Sequence, residues 1–109
     1  MSLIALIKRD TKPMKITLAL AQINTRLGVV QDNLEKHLSL AEQAHASGAD
    51  LLIFPELSLT GYVLQDLTPT VALRPTREDP LFRQLLEASR ELDMVVGFVN
   101  EDRRHRFFI

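Results

Sequence analysis

The sequence predicts an α/β fold with parallel strand pairing. Three observations carry that prediction: an apolar run over residues 16–23, an amphipathic helical pattern over residues 32–47, and a second apolar run, Leu51-Leu52-Ile53-Phe54, reached through the tight connection Gly48-Ala49-Asp50. Strand, helix and strand in that order, with apolar residues at successive strand positions, describe a sheet whose neighbouring strands run parallel and whose two faces both need cover.

Each element has its own local reason. The run over residues 16–23 suits either a buried strand or a piece of buried helix; Asn24 and Gly28 end it early and a strong helical pattern follows at once, which favours the strand. In that helix Leu34, His37, Leu38, Ala41, Ala44 and Gly48 fall along one face at three- and four-residue spacing. Asp32 reads as its N-cap, with Glu35 three residues on as in a capping box, and Gly48 as the residue that ends it. Pro69 and Pro75 bracket an irregular stretch. Asp79-Pro80 marks a second helix start, with Leu81, Phe82, Leu85, Leu86, Ser89 and Leu92 as its inward face. Residues 94–99 read as a further buried strand, and residues 95–99 are expected to pair with 106–109 as an antiparallel hairpin. Residues 1–13, closed by Pro13, read as an N-terminal extension to a domain over residues 14–109.

Composition narrows the function classes. At 109 residues, with 46% hydrophobic and 25% charged, the chain has a globular composition and room for one domain with a modest core. A net charge of −1 supplies no broad attraction to nucleic acid or to an anionic membrane, so neither is expected as a partner. The basic cluster Arg103-Arg104-His105-Arg106 falls in the predicted hairpin turn and reads as a solvated loop, because Phe107 and Phe108 continue a strand and offer no stacking platform. Leu3-Ile4-Ala5-Leu6-Ile7 is too short to span a bilayer and its charges follow it, so no signal peptide is read and a cytoplasmic location is expected by elimination. The absence of cysteine removes disulfides, thiolate metal sites and a cysteine nucleophile from these 109 residues. His37 and His45 lie two helical turns apart, too far for one ion without other ligands, and His37 points with the apolar stripe as a core or boundary residue. No metal and no cofactor are expected.

The segment Phe54-Pro55-Glu56-Leu57-Ser58-Leu59-Thr60-Gly61-Tyr62 is the one that suggests chemistry. Pro55 holds Phe54 out of the helical region and keeps the strand extended to its last residue. Glu56 then stands at the carboxyl edge of a buried strand, where open α/β sheets bind ligands. Its apolar neighbours Phe54, Leu57 and Leu59 are expected to desolvate it, favouring a general base. Gly61 permits a turn that returns Tyr62 toward the same region. On spacing alone, a glutamate after a strand and a proline is more often an ordinary solvated loop residue, and a tyrosine such as Tyr62 more often a packing residue.

A resemblance separates these readings. The run LLIFPELSLTGY, preceded by the helix DNLEKHLSLAEQAHASGAD and the strand KITLALAQI, resembles the N-terminal part of the nitrilase, or carbon–nitrogen hydrolase, superfamily, which includes nitrilases, aliphatic amidases, carbamoylases and the glutaminase domains of NAD synthetases. The resemblance implies a four-layer α-β-β-α sandwich, of which this chain would supply an incomplete, N-terminal portion. It implies a Glu-Lys-Cys catalytic set in which Glu56 is the general base, and a substrate-binding role for Tyr62. The family's lysine and cysteine lie downstream of this motif; Lys8, Lys12, Lys15 and Lys36 do not stand in the matching place, and there is no cysteine. The implied function is hydrolysis of a non-peptide carbon–nitrogen bond of a small amide or nitrile by the complete enzyme, a homo-oligomer by expectation, with this chain supplying the base and inactive alone. Two alternatives stay open: a glutaminase domain of an NAD synthetase, suggested by Val63-Leu64-Gln65-Asp66-Leu67 after the TGY, and a noncatalytic binding or assembly module on the same scaffold. The strand-like ending Phe107-Phe108-Ile109 reads as that of a fragment.

Overall fold

The computed structural model describes residues 2–10, 15–62 and 65–109. The expected opening is present: β2 (Lys15–Gln22) pairs in parallel with β3 (Leu51–Ile53), across the helix α1 (Val30–Ala46), and β3 pairs in parallel with β4 (Asp93–Val95). Within the expected N-terminal extension, Ser2–Asp10 forms β1, antiparallel to β2, and the sheet order is β1-β2-β3-β4. Pro13 lies outside the described residues.

Burial alternates along β2, where Thr17, Ala19 and Ala21 are buried between half-buried Leu18 and Leu20, and along β3, where Leu52 is fully buried between half-buried neighbours. The buried face packs on α1: Ala19, Ala21, Leu40, Ala41, Ala44, Leu52, Phe54 and Leu92 form one core. The helix α3 (Pro80–Ala88) lies beside α1 and closes a second core of Leu34, Leu59, Leu73 and Leu85. The opposite sheet face carries Ile16 at 42% and Val95 at 49% exposure. Cover on both faces, expected from the continuous apolar runs, is thus found among the described residues on one face.

Three local expectations are corrected. Helix α1 starts at Val30, so Asp32 lies inside its first turn and pairs with Arg26 instead of capping; Val29 at the cap position makes no side-chain cap. The capping box does not form because the chain enters the helix through a tertiary clamp: the Asn33 amide donates to the carbonyls of Arg26 and Leu59 and accepts from the Arg26 N–H. Leu86, expected on the inward face of α3, is exposed, whereas Leu85 is buried and Asp79 caps as predicted, accepting from the Phe82 N–H at 2.8 Å. The hairpin is shorter and lies further along the chain, pairing β5 (Asn100–Glu101) with β6 (Phe107–Phe108). Residues 95–99 do not join it, because their carbonyls are engaged elsewhere: those of Val95, Gly97 and Val99 accept from the amides of Phe54, Leu59 and Leu73. Gly48, with φ +79°, ends α1 as expected. A short helix α2 (Thr68–Val71) follows a 3₁₀ turn, Gln65–Leu67, in the irregular stretch.

Candidate active site

The strand β3 delivers Glu56 to the carboxyl edge of the parallel sheet. The Phe54 N–H donates to the Val95 carbonyl at 2.9 Å, so the chain stays aligned with β4 for one residue past β3 before Pro55 turns it away. Glu56 is exposed, and the four residues after it, Leu57, Ser58, Leu59 and Thr60, are all buried. The expected desolvation is corrected here: Phe54 and Leu59 turn into the two cores beneath the helices and Leu57 into a third cluster with Val71 and Val99, so within the described residues their burial leaves Glu56 facing out.

The loop that carries Glu56 is held at the level of its backbone. Leu57 adopts φ +51°, a left-handed conformation uncommon for a branched apolar residue, and its carbonyl accepts from the amides of Thr60 and Gly61 at 3.1 and 2.8 Å. The Leu59 N–H donates to the Gly97 carbonyl at 3.0 Å, and the Leu59 carbonyl accepts from the Asn33 amide at 2.9 Å. Gly97 comes so close that a Cβ there would lie 2.3 Å from the Leu57 nitrogen, 2.7 Å from the Pro55 oxygen and 2.8 Å from the Glu56 carbonyl carbon. Backbone touches backbone on both sides of the glutamate.

Below the loop runs a buried chain of hydrogen bonds. His37 stacks on Phe54 with ring centroids 4.0 Å apart. Its Nδ1–H donates to the Asn33 carbonyl at 2.6 Å, since a carbonyl can only accept, and Nε2 is thereby left to accept from the Ser58 hydroxyl at 2.8 Å. The Ser58 oxygen in turn accepts from the Gly97 N–H at 3.2 Å. Burial pushes the His37 imidazole down to a pKa of about 4, against a smaller upward pull from the Asn33 carbonyl, so the ring is neutral at physiological pH. Both nitrogens of His37 are occupied, in keeping with the core position read from the sequence.

Tyr62 is 60% exposed and stands, with Leu57, Gln65, Thr68, Val99 and Phe108, on the wall of a cavity of about 440 Å³. Gly61 makes the turn before it with φ +83°, and a Cβ there would press on Leu27 at 3.2 Å. Glu56 is not among the residues lining this cavity, so the structure brings Tyr62 to Leu57 and leaves the glutamate outside it. Sequence reasoning missed Asn33, Ser58 and Gly97 altogether. The available signal was the pair of polar residues Asn33 and His37, one helical turn apart on an otherwise apolar face, which require buried partners.

In the hairpin, the basic cluster meets its own acids. His105 and Arg74 pair with Glu101, and Arg106 with Asp102. The His105 hydrogen bond lowers the Glu101 pKa, and the Arg106 backbone N–H, with its guanidinium, lowers that of Asp102. Among the described residues no helix is long and apolar enough to cross a membrane.

Comparison with known proteins bears on a motif placed this way. The model of the family described as "Carbon-nitrogen hydrolase" matches residues 17–105. The chain belongs to the carbon–nitrogen hydrolase family. Among relatives, the glutamine-dependent NAD(+) synthetase of Acinetobacter baylyi is 38% identical over 94 residues, 83% of this chain and 16% of that protein. The enzyme of the same name from Thermotoga maritima is 35% identical over 91 residues, 81% of this chain and 16% of that protein. Among solved structures, glutamine-dependent NAD+ synthetase from Acinetobacter baumannii, in complex with ADP, superposes with a TM-score of 0.71 at 37% identity, covering 84% of this chain and 17% of that one. The fold is therefore the mixed α/β fold of this family, in part, and the carbon–nitrogen hydrolase chain spans about a sixth of the length of the relatives it matches.

Proposed function

We propose that this segment supplies the general base, Glu56, to a glutaminase site of the kind that feeds ammonia to an NAD synthetase. The similarity to glutamine-dependent NAD synthetases over more than four-fifths of the chain favours this reading over a free-standing amidase or nitrilase. The observation that carries it is the held loop: Glu56 stands at the carboxyl edge of β3, clamped between the left-handed Leu57 and the close approach of Gly97. A base must be placed before its proton is transferred, and a loop fixed by backbone contacts places it.

The chemistry follows from what a carboxylate can do and what these 109 residues lack. These 109 residues hold no cysteine, and on this reading the attacking thiol, and the lysine that steadies the oxyanion, are supplied from outside them, as the resemblance implies. Glu56 takes the thiol proton as sulfur attacks the side-chain amide carbon of glutamine. The proton passes to the leaving nitrogen, ammonia departs, and a thioester remains. Glu56 then deprotonates a water that hydrolyses the thioester to glutamate. Tyr62 is proposed to contact the substrate through its exposed ring, which follows Glu56 on the same stretch of chain; the cavity that Tyr62 lines does not include Glu56.

The test is Glu56→Gln in the protein in which this segment occurs. Glutamine-dependent ammonia release should fall by about 10² to 10⁴-fold. Product formation from added ammonium, which bypasses the amide step, should persist. Near-normal kcat with glutamine would make Glu56 a structural residue, and faster turnover of short aliphatic amides or nitriles than of glutamine would return the free-standing amidase reading.

A further inference from the structure

We infer that His37 is a positioning residue for Glu56, acting through Phe54 and Ser58 on the two sides of the Pro55-Glu56-Leu57 turn. The inference rests on the reading of Glu56 as the base. His37 touches the glutamate loop twice: its ring stacks on Phe54, two residues before Glu56, and its Nε2 accepts from Ser58, two residues after it. Ser58 then hands the contact on to the Gly97 N–H, and the Gly97 carbonyl accepts from Leu59. On the other side Nδ1 is bonded to the carbonyl of Asn33, one turn back along α1, while the Asn33 side chain holds Leu59. One fully buried imidazole thus ties α1, the end of β3, the glutamate loop and the segment after β4 into a single frame.

A filler of the core would not need this arrangement. An apolar residue of similar size would occupy the space and stack on Phe54, but it would leave the Ser58 hydroxyl without its acceptor in a buried place, where an unmet donor is costly. Ser58 would then seek another acceptor, and the obvious one is the Gly97 carbonyl, 3.5 Å away, which already accepts from Leu59. The second lone pair of that carbonyl is free to accept, but 3.5 Å is too long for a good O–H···O bond, so Ser58 gains it only by moving, and that movement shifts the loop just after Glu56. The imidazole therefore sets the direction of the Ser58 proton, and with it the register of the loop against Gly97.

Three variants of the protein in which this segment occurs test the inference: His37→Phe, which keeps the stacking and removes the acceptor; His37→Gln, which restores an acceptor near the place of Nε2; and Ser58→Ala. In His37→Phe and Ser58→Ala, kcat for glutamine hydrolysis should fall roughly ten- to a hundredfold with KM little changed, and His37→Gln should recover most of the loss. Amide hydrogen exchange should quicken at Leu59, Thr60 and Gly61 while the amides in the middle of α1 keep their protection. Unchanged kcat in His37→Phe, failure of His37→Gln to recover activity, or exchange that quickens equally throughout the domain would each overturn the inference and leave His37 a core residue. The two readings fail separately: if Glu56→Gln stays active the base assignment is lost, while the exchange pattern at Leu59 to Gly61 still decides whether His37 holds the loop.

Discussion

Gly97 has no side chain to place between its own backbone and that of the turn at Glu56, and the space leaves room for none. The atoms a Cβ would strike belong to the backbone of Pro55, Glu56 and Leu57, which cannot swing aside as a side-chain end can. Gly97→Ala should therefore destabilise the fold toward the upper end of the about 1–3 kcal/mol typical of overpacking. The urea midpoint of the protein in which this segment occurs measures this, and an unchanged midpoint would mean that the loop moves freely away from Gly97. His37 gives the chain a pH dependence of definite sign. Its folded pKa, about 4, lies below the ordinary 6.5, so between those values the unfolded chain binds more protons than the folded one. Stability is fully present above about pH 6.5 and is lost as the pH falls toward 4, by roughly 3 kcal/mol if the whole shift is expressed. Urea midpoints between pH 4.5 and 7.5 should slope accordingly, and His37→Phe should flatten that slope; an equal slope in the variant would assign it to carboxylates instead.

At the scale of elements, the helices α1 and α3 begin in different ways, and the difference is measurable. Helix α3 is started locally, by Pro80 at its first turn and by the Asp79 carboxylate accepting from Phe82. Asp79→Ala should cost about 1 kcal/mol, the usual worth of such a cap. Helix α1 has no side-chain cap, and Asp32 in its first turn interacts with the helix dipole and with Arg26 in an exposed pair, so Asp32→Ala should cost less than Asp79→Ala. Thermal unfolding of the two variants side by side checks the order; a larger loss for Asp32→Ala would make it the true start of its helix.

For the whole molecule the open question is the sheet face away from the helices. Ile16 and Val95 stand on it exposed, with half-buried Leu18, Leu20, Leu51 and Ile53 between them, and β1 and β4 are its edges. Contiguous apolar surface of more than a few hundred Å² is seldom left in water. The 109 residues expressed alone should therefore self-associate, or bind hydrophobic dye with weak near-UV dichroism. Sedimentation and dye binding at micromolar concentration decide this: a compact, dye-free monomer with sharp unfolding would show that the chain closes its own core, and would favour the noncatalytic module over the partial hydrolase.

By itself the sequence determined what depends on near neighbours. The apolar stripe of α1, its end at Gly48, the Asp79-Pro80 start of α3 and the delivery of Glu56 to the end of β3 all follow from periodicity and backbone preference within a few residues. The tertiary structure decided whatever depends on contacts between distant segments. His37 meets Ser58 across 21 residues and Ser58 meets Gly97 across 39, and no periodic pattern records such a meeting. Those contacts take the carbonyls of residues 95–99 away from the hairpin, start α1 through Asn33 without a capping side chain, and turn Leu57 and Leu59 inward so that Glu56 faces out. Local pattern says which face of an element is apolar; only packing says what lies against it, and the setting of the glutamate is a property of what lies against it.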